Sequence, residues 1–271
     1  MNQNTIDYKI LLDSKIKEIH KDEFQAFIKK IYSQNLEEGA WKHQFIHSPY
    51  EDTPLFLAFD NDKIVGSALM IGQKLFIGEQ EISYYIFTTS GVLKEYRDRG
   101  VYAELLKLQR HFAKQTNKHF ILAFPNKLAY PVLKLFGGFK DLIKSELVKT
   151  TFDNIDFTKN KNSFLIDSRL FVWRFEHKNY NFTRLEDSVI VSKSFNDSID
   201  ILAVYEKSMF SPFNIKYTDL DESRSFNVIA GLIKDPEHAE KVINVNVTYY
   251  PISTDINPRE INVNLLMSDV Y

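Results

Sequence analysis

Val92-Leu93-Lys94-Glu95-Tyr96-Arg97-Asp98-Arg99-Gly100-Val101-Tyr102 is the stretch on which the fold turns. It follows Ile82 to Leu93, a run rich in Ile, Tyr, Phe and Thr that predicts a strand. It precedes a change of period, in which Val101, Leu105, Leu108 and Phe112 fall on one helical face with Leu106 and Ala113 beside it. Glu104, Lys107, Arg110 and Lys114 point elsewhere, so an amphipathic helix begins at Val101. A helix N-terminus presents unpaired N–H groups and the positive end of the dipole, and Gly100 permits an approach that a side chain would block. A diphosphate suits that place. Alone, the same letters also describe an ordinary strand-to-helix turn with a glycine for geometry.

Downstream come the short apolar run Phe120 to Phe124, Pro125-Asn126, a second helical stretch and a stop at Gly137-Gly138. Strand, helix, strand, helix implies a parallel pair joined by a helical crossover. Upstream, Phe24, Phe27, Ile28, Ile31 and Tyr32 recur at helical spacing. Leu55 to Phe59 and Ile64 to Ile71 predict strands around the turn Asp60-Asn61-Asp62. The class expected is α/β (α+β), a mixed sheet flanked by helices.

With the elements in this order, the segment resembles the signature of the GCN5-related N-acetyltransferase (GNAT) superfamily: Arg or Gln, two residues, Gly, one residue, Gly or Ala, after a strand ending in a Val-x-Pro-like step. Val92, Arg97, Gly100 and the apolar Val101 match. The resemblance implies that the loop amides from Arg97 through Asp98, Arg99, Gly100, Val101 and Tyr102 hold the pyrophosphate of acetyl-CoA. It also implies that the preceding strand splays from its neighbour and that Leu93 supplies backbone contacts to the pantetheine arm. Asn126 with Ala129, then a helix and Gly138-Phe139, echoes the family's second segment, where Asn126 would touch the cofactor arm. The resemblance covers about Phe24 to Val148. Tyr102 departs from it, since the family has Gly or Ala there, and its ring must point away from the diphosphate.

Tyr102 and Phe124-Pro125-Asn126 look similar to a branch of bacterial surface-polysaccharide acetyltransferases whose second half carries a Trp-Arg segment like Trp173-Arg174. That implies an acceptor that is an amino sugar or a nucleotide-linked amino sugar. The two tryptophans, Trp41 and Trp173, are each followed by a basic residue and precede strand-like runs separated by Asn61-Asp62 and Asn196-Asp197. The reading is a second, degenerate GNAT-like half, although two such sites also match by chance. Residues 1–150 are expected to form the acyl-CoA-binding domain and 151–271 the degenerate half, which lacks a phosphate loop of its own and would contribute to the acceptor cleft. Later elements are expected as a helix near Ser225 to Ile233 and strands near Val242 to Tyr249 and Ile261 to Met267.

Amide formation from a thioester needs a neutral amine, a stabilised oxyanion and a proton for the departing thiolate. Relatives use a Tyr seven residues after the Asn, but Leu133 stands there. Tyr130, three residues earlier, is the candidate acid or else a packing tyrosine. Pro131 allows the helix to begin there and not at Asn126, leaving the direction of Tyr130 open. Thr88, Thr89 and Ser90 can hold water but accept a proton poorly. His43, His47 and Glu79 are bases by type alone, so no base is named.

Net charge of -2 with interspersed signs gives no basic stripe for nucleic acid. No cysteine is present, which removes disulfides, thiolate nucleophiles and Cys-ligated zinc, and the seven histidines show no metal-ligand spacing. The first twenty residues lack a signal-peptide core and no run is long enough to span a bilayer, so a cytoplasmic protein with no membrane partner is expected. The 22 Phe and 14 Tyr line a cleft or pack a core. The function expected is acetyl-CoA-dependent N-acetylation of a small amine. The alternatives are an aminoacyl transferase of the tandem cell-wall type and a non-catalytic acyl-CoA-binding protein. The oligomeric state is not legible.

Overall fold

Among the described residues four two-residue hairpin turns each place their first residue in the left-handed region: Asn61 (φ 54°), Gly78 (φ 58°), Glu186 (φ 48°) and Asn196 (φ 49°). The computed structural model describes residues 5–50, 53–158, 166–175, 179–253, 256–257, 260–261, 263–264 and 267. In chain order the elements are β1 (Asp7–Leu11), α1 (Ser14–Ile19), α2 (Lys21–Tyr32), α3 (Glu38–Trp41), β2 (Leu55–Asp60), β3 (Lys63–Ile77) and β4 (Gln80–Val92). There follow α4 (Val101–Lys114), β5 (Phe120–Ala123), α5 (Ala129–Leu135), β6 (Lys140–Thr150), α6 (Ser168–Phe175) and β7 (Asn181–Leu185). The last four strands are β8 (Ser188–Phe195), β9 (Ser198–Glu206), β10 (Ser225–Ile229) and β11 (Glu240–Pro251). The chain divides into two compact units, residues 1–73, 83–140 and 248–256, and residues 74–82, 141–247 and 257–271.

In the first unit the strand order is β1-β2-β3-β4-β5-β11. β1 and β3 flank β2 antiparallel, and β4 runs parallel to β5 as the strand–helix–strand order predicts. β5 is antiparallel to the last four residues of β11. Leu55, Phe56, Leu57 and Ala58 are all fully buried, so β2 is covered on both faces, as a central strand between two helical layers must be. Phe24 of α2 packs with Trp41 and Phe45, at ring distances of 5.7 and 5.1 Å. Phe112 of α4 meets Phe56 edge-on at 5.8 Å.

In the second unit the order is β7-β8-β9-β10-β6. β7/β8 and β8/β9 are antiparallel, β9/β10 parallel and β10/β6 antiparallel. This is the same succession of signs as β2-β3-β4-β5-β11, with the tight turn at Gly78 making β3/β4 antiparallel. The two sheets share this succession of pairings, and each closing strand is drawn from the other half of the sequence. The turn correspondence is shifted by one hairpin, because Asn196-Asp197 matches Gly78-Glu79 and Glu186-Asp187 matches Asn61-Asp62. No counterpart of α4 exists among the described residues, since a 3-10 turn (Lys207–Phe210) and irregular chain join β9 to β10.

The helix expected near Ser225 to Ile233 is strand β10 followed by a short 3-10 turn. Phe226 and Val228 alternate inward at period two and pack with Val148, Ile190, Ile199 and Ile201, so strand neighbours on both sides override the local pattern. The strand expected at 261–267 lies partly outside the described residues. No helix among the described residues is long and apolar enough to cross a membrane, and none of their His, Asp and Glu side chains group as a metal site.

Candidate functional site

β4 outruns its parallel partner. The β4/β5 pairing covers Tyr85–Phe87 against Ile121–Ala123, and β4 then continues to Val92 while β5 stops where Pro125 removes a donor and constrains the residue before it. The ladder between the two strands therefore ends at Phe87, leaving a gap in their pairing beyond it. Thr89, a β-branched residue, takes φ 45° inside this free stretch, a conformation that persists only where neighbours hold it. Ser67 of β3 does so, its hydroxyl donating to the Thr89 carbonyl at 3.3 Å.

Past the gap, Leu93 donates its N–H to Val65 O at 2.9 Å and accepts from Tyr96 N–H at 2.9 Å. Its backbone is committed within the protein. Lys94–Arg99 then forms a 3-10 turn. Buried Tyr96 pins it by donating its hydroxyl to Asp60 Oδ2 at 2.7 Å, with the Arg99 guanidinium 4.6 Å over its ring. The Asp60 bond raises the Tyr96 phenol above its ordinary range. Arg97 Nε donates to Val92 O at 3.2 Å, capping the strand end. Val92 and Leu93 are buried, whereas Arg97, Asp98, Arg99 and Gly100 are exposed.

Gly100 sits at φ 75°, and a Cβ built on it would meet no atom within 4 Å. Its conformation requires glycine, and the space over it is open. The first helical bond of α4 is Glu104 N–H to Gly100 O at 3.1 Å, so the amides of Val101, Tyr102 and Ala103 precede the ladder, and no side chain caps them. An uncapped helix start behind an open glycine, with Arg97 and Arg99 preceding it in the chain, has the chemistry to hold an anion. Gly66 of β3 seats this helix start, because a Cβ there would lie 2.9 Å from Val101 Cγ1 and 3.1 Å from Leu105 Cδ1. Val101 is fully buried against the sheet in consequence.

Tyr102 turns its ring back toward β4. Its hydroxyl lies 3.1 Å from Ser90 Oγ, and burial pushes the phenol up to about 12. Tyr32, at the end of α2, donates its hydroxyl to Ser90 O at 2.7 Å and is likewise raised to about 12, by burial and then by Tyr102. Three neutral hydroxyls thus gather beside the gap. Tyr32 was invisible in the sequence because it reads there as the last apolar position of an amphipathic helix.

Asn126 caps α5. Its Oδ1 accepts from Leu128 N–H at 3.0 Å and Ala129 N–H at 2.9 Å, and its carbonyl accepts from Tyr130 N–H at 3.0 Å. This cap uses its Oδ1 and leaves its side-chain NH2 out. The helical turn therefore starts at Asn126, and Pro131, the third residue of α5, has no N–H to return to the carbonyl of Lys127. Leu133 is 1 % exposed in the core, which removes position seven as a proton donor, while Tyr130 is half-buried on the first turn. His43 is half-buried, His47 and Glu79 are exposed, and Glu79 lies on the β3/β4 turn, outside the unit that holds the loop.

A model of the acetyltransferase (GNAT) domain matches residues 15–138. Among curated proteins no sequence matches significantly. Among solved structures the chain is similar to a conserved Enterococcus faecalis V583 protein of unknown function, at TM-score 0.65 and 9% identity over 92% of this chain and 73% of that one. It is similar to a GCN5-related N-acetyltransferase from Kribbella flavida, at TM-score 0.62 and 12% identity over 91% and 72%. A Pyrococcus horikoshii protein shares the fold at TM-score 0.57 and 13% identity, over 98% of this chain and 94% of that one. At these identities the likeness is one of fold.

Proposed function

We propose that the chain is an acetyl-CoA-dependent N-acetyltransferase acting on a small amine, an amino sugar or nucleotide-linked amino sugar, since a model of the acetyltransferase (GNAT) domain matches residues 15–138. The observation that carries the donor half of this reading is the uncapped start of α4 behind Gly100, set next to a strand that outruns its partner. Acetyl-CoA would supply the activated acyl thioester. The amides of Val101, Tyr102 and Ala103, with Arg97 and Arg99, would hold its diphosphate, and the free edge of β4 and the Asn126 amide would hold its arm. Tyr130 is the group proposed to deliver a proton to the departing sulfur, from the first turn of α5.

The acceptor half rests on the likeness of Tyr102, Phe124-Pro125-Asn126 and Trp173-Arg174 to the surface-polysaccharide branch. The hydroxyls of Tyr32, Ser90 and Tyr102 support it, since neutral donors and acceptors suit the hydroxyl groups of a sugar ring. The test is mass-spectrometric screening of amino sugars and nucleotide-linked amino sugars with acetyl-CoA, using free amino acids as controls. Acetylation confined to the sugars supports the reading; acetylation of amino acids alone rejects the acceptor. A protein that is not stabilised by saturating acetyl-CoA in a thermal shift rejects the donor, because a ligand at a hundredfold excess over its dissociation constant stabilises by about 2.7 kcal/mol.

A further inference from the structure

From Ile6 to Ile10 the chain reads Ile-Asp-Tyr-Lys-Ile, a string that is complementary to itself when laid antiparallel on a copy. With Tyr8 opposite Tyr8, Asp7 faces Lys9, Lys9 faces Asp7, and isoleucine faces isoleucine at both ends. Opposite charges directly across an antiparallel pair stabilise it and like charges oppose it.

β1 is placed to use this. It is the terminal strand of its sheet, paired with β2 on one side, so among the described residues its other side presents strand backbone to solvent. Asp7, Lys9 and Ile10 are exposed. β7, the terminal strand of the second unit, is protected: Thr218 donates its N–H to Phe182 O, and the Thr183 hydroxyl donates to Thr218 O, both at 2.8 Å. An open edge is a template for another strand unless something covers it.

A second observation lies directly after the strand, where α1 is inside out. Lys17 is 3 % exposed and donates its Nζ to Phe45 O at 3.0 Å and Thr53 O at 2.6 Å. Ile16 and Ile19 face solvent at 45 % and 78 % exposure, with Leu12 before them at 57 %. A helix that tucks in its lysine and shows its isoleucines offers an apolar face to a partner. A five-residue ladder alone is small beside the roughly 1,200–2,000 Å² that stable interfaces bury, and the adjoining stripe adds apolar area.

We propose that the chain forms a twofold homodimer through β1, paired antiparallel to the β1 of a second copy with Tyr8 on the axis, and that Leu12, Ile16 and Ile19 are covered in the same interface. The interface is isologous, so each charge contact occurs twice.

Sedimentation of the full chain over a concentration series tests this. Asp7→Lys or Lys9→Asp alone sets like charges against each other at both contacts and should raise the dimer dissociation constant about tenfold. The double variant restores both opposite pairs and should return it to about the wild-type value. Because the chain has no cysteine, Tyr8→Cys reports independently: opposed residues lie within disulfide reach, so mild oxidation should link two copies. Lys107→Cys on the exposed face of α4 should not link. A wild type that stays monomeric at the highest concentration overturns the proposal, as does a double variant no tighter than the singles. Cross-linking of the Lys107→Cys variant but not of the Tyr8→Cys variant, where both melt like the wild type, does so too.

Discussion

The Tyr102 hydroxyl lies 3.1 Å from Ser90 Oγ, tying the first turn of α4 to the stretch of β4 that runs beyond its pairing with β5. The residue occupies the position at which the GNAT signature has glycine or alanine, and this contact turns its ring away from the amides that face the loop. Tyr102→Phe removes one hydrogen bond, a loss of about 0.5–1.5 kcal/mol. The fold should persist while the acetyl-CoA dissociation constant rises several-fold, measured by calorimetry. An unchanged constant would show that the bond does not shape the cradle.

Gly100 and Gly66 should fail differently when replaced by alanine. At Gly100 the new Cβ meets no protein atom, so the cost is the left-handed backbone, about 1–2 kcal/mol, together with a methyl group over the open amides. Acetyl-CoA affinity should fall at least tenfold for a modest loss of melting temperature. At Gly66 the Cβ collides with Val101, and overpacking of about 1–3 kcal/mol should appear chiefly as lost stability. Paired thermal melts and titrations separate the two; equal effects in both assays would contradict the placement.

Tyr130→Phe addresses the proton donor. If Tyr130 delivers the proton, kcat should drop about 10²-fold with little change in KM and with loss of the alkaline limb of the pH–rate profile. Turnover equal to the wild type across pH assigns Tyr130 to packing.

Tyr32 and Tyr102 should govern stability at high pH. Both phenols are raised from 10.0 to about 12 in the folded protein. Below pH 10 folded and unfolded forms are both protonated, and the contribution is fully present. Between about 10 and 12 the unfolded chain releases these protons while the native one retains them, so stability is lost as pH rises through that window. Thermal melts from pH 9 to 12 should fall more steeply for the wild type than for the Tyr32→Phe/Tyr102→Phe double variant. Parallel curves would count against the burial of these hydroxyls.

Much of this protein was legible without coordinates. The turn at Asn61, the period from Val101 to Phe112 and the glycine before it all depend on neighbours within a few residues, where side-chain spacing and backbone sterics act directly. The parallel β4/β5 pair followed from the order of elements. Phe226 and Val228 were misread as helical because a short apolar run has no period of its own, and strand neighbours from distant sequence decided it.

By itself, then, the sequence determined the loop from Val92 to Tyr102, its flanking strand and helix, and the resemblance they carry, since these rest on local geometry. Only the tertiary structure decided that Leu93 spends its amide on Val65 and that Leu133 faces the core. It alone showed that Tyr32 and Tyr102 meet at Ser90 and that each sheet closes with a strand from the other half. Those outcomes depend on which distant groups come within hydrogen-bond or packing distance, and no spacing along the chain encodes that.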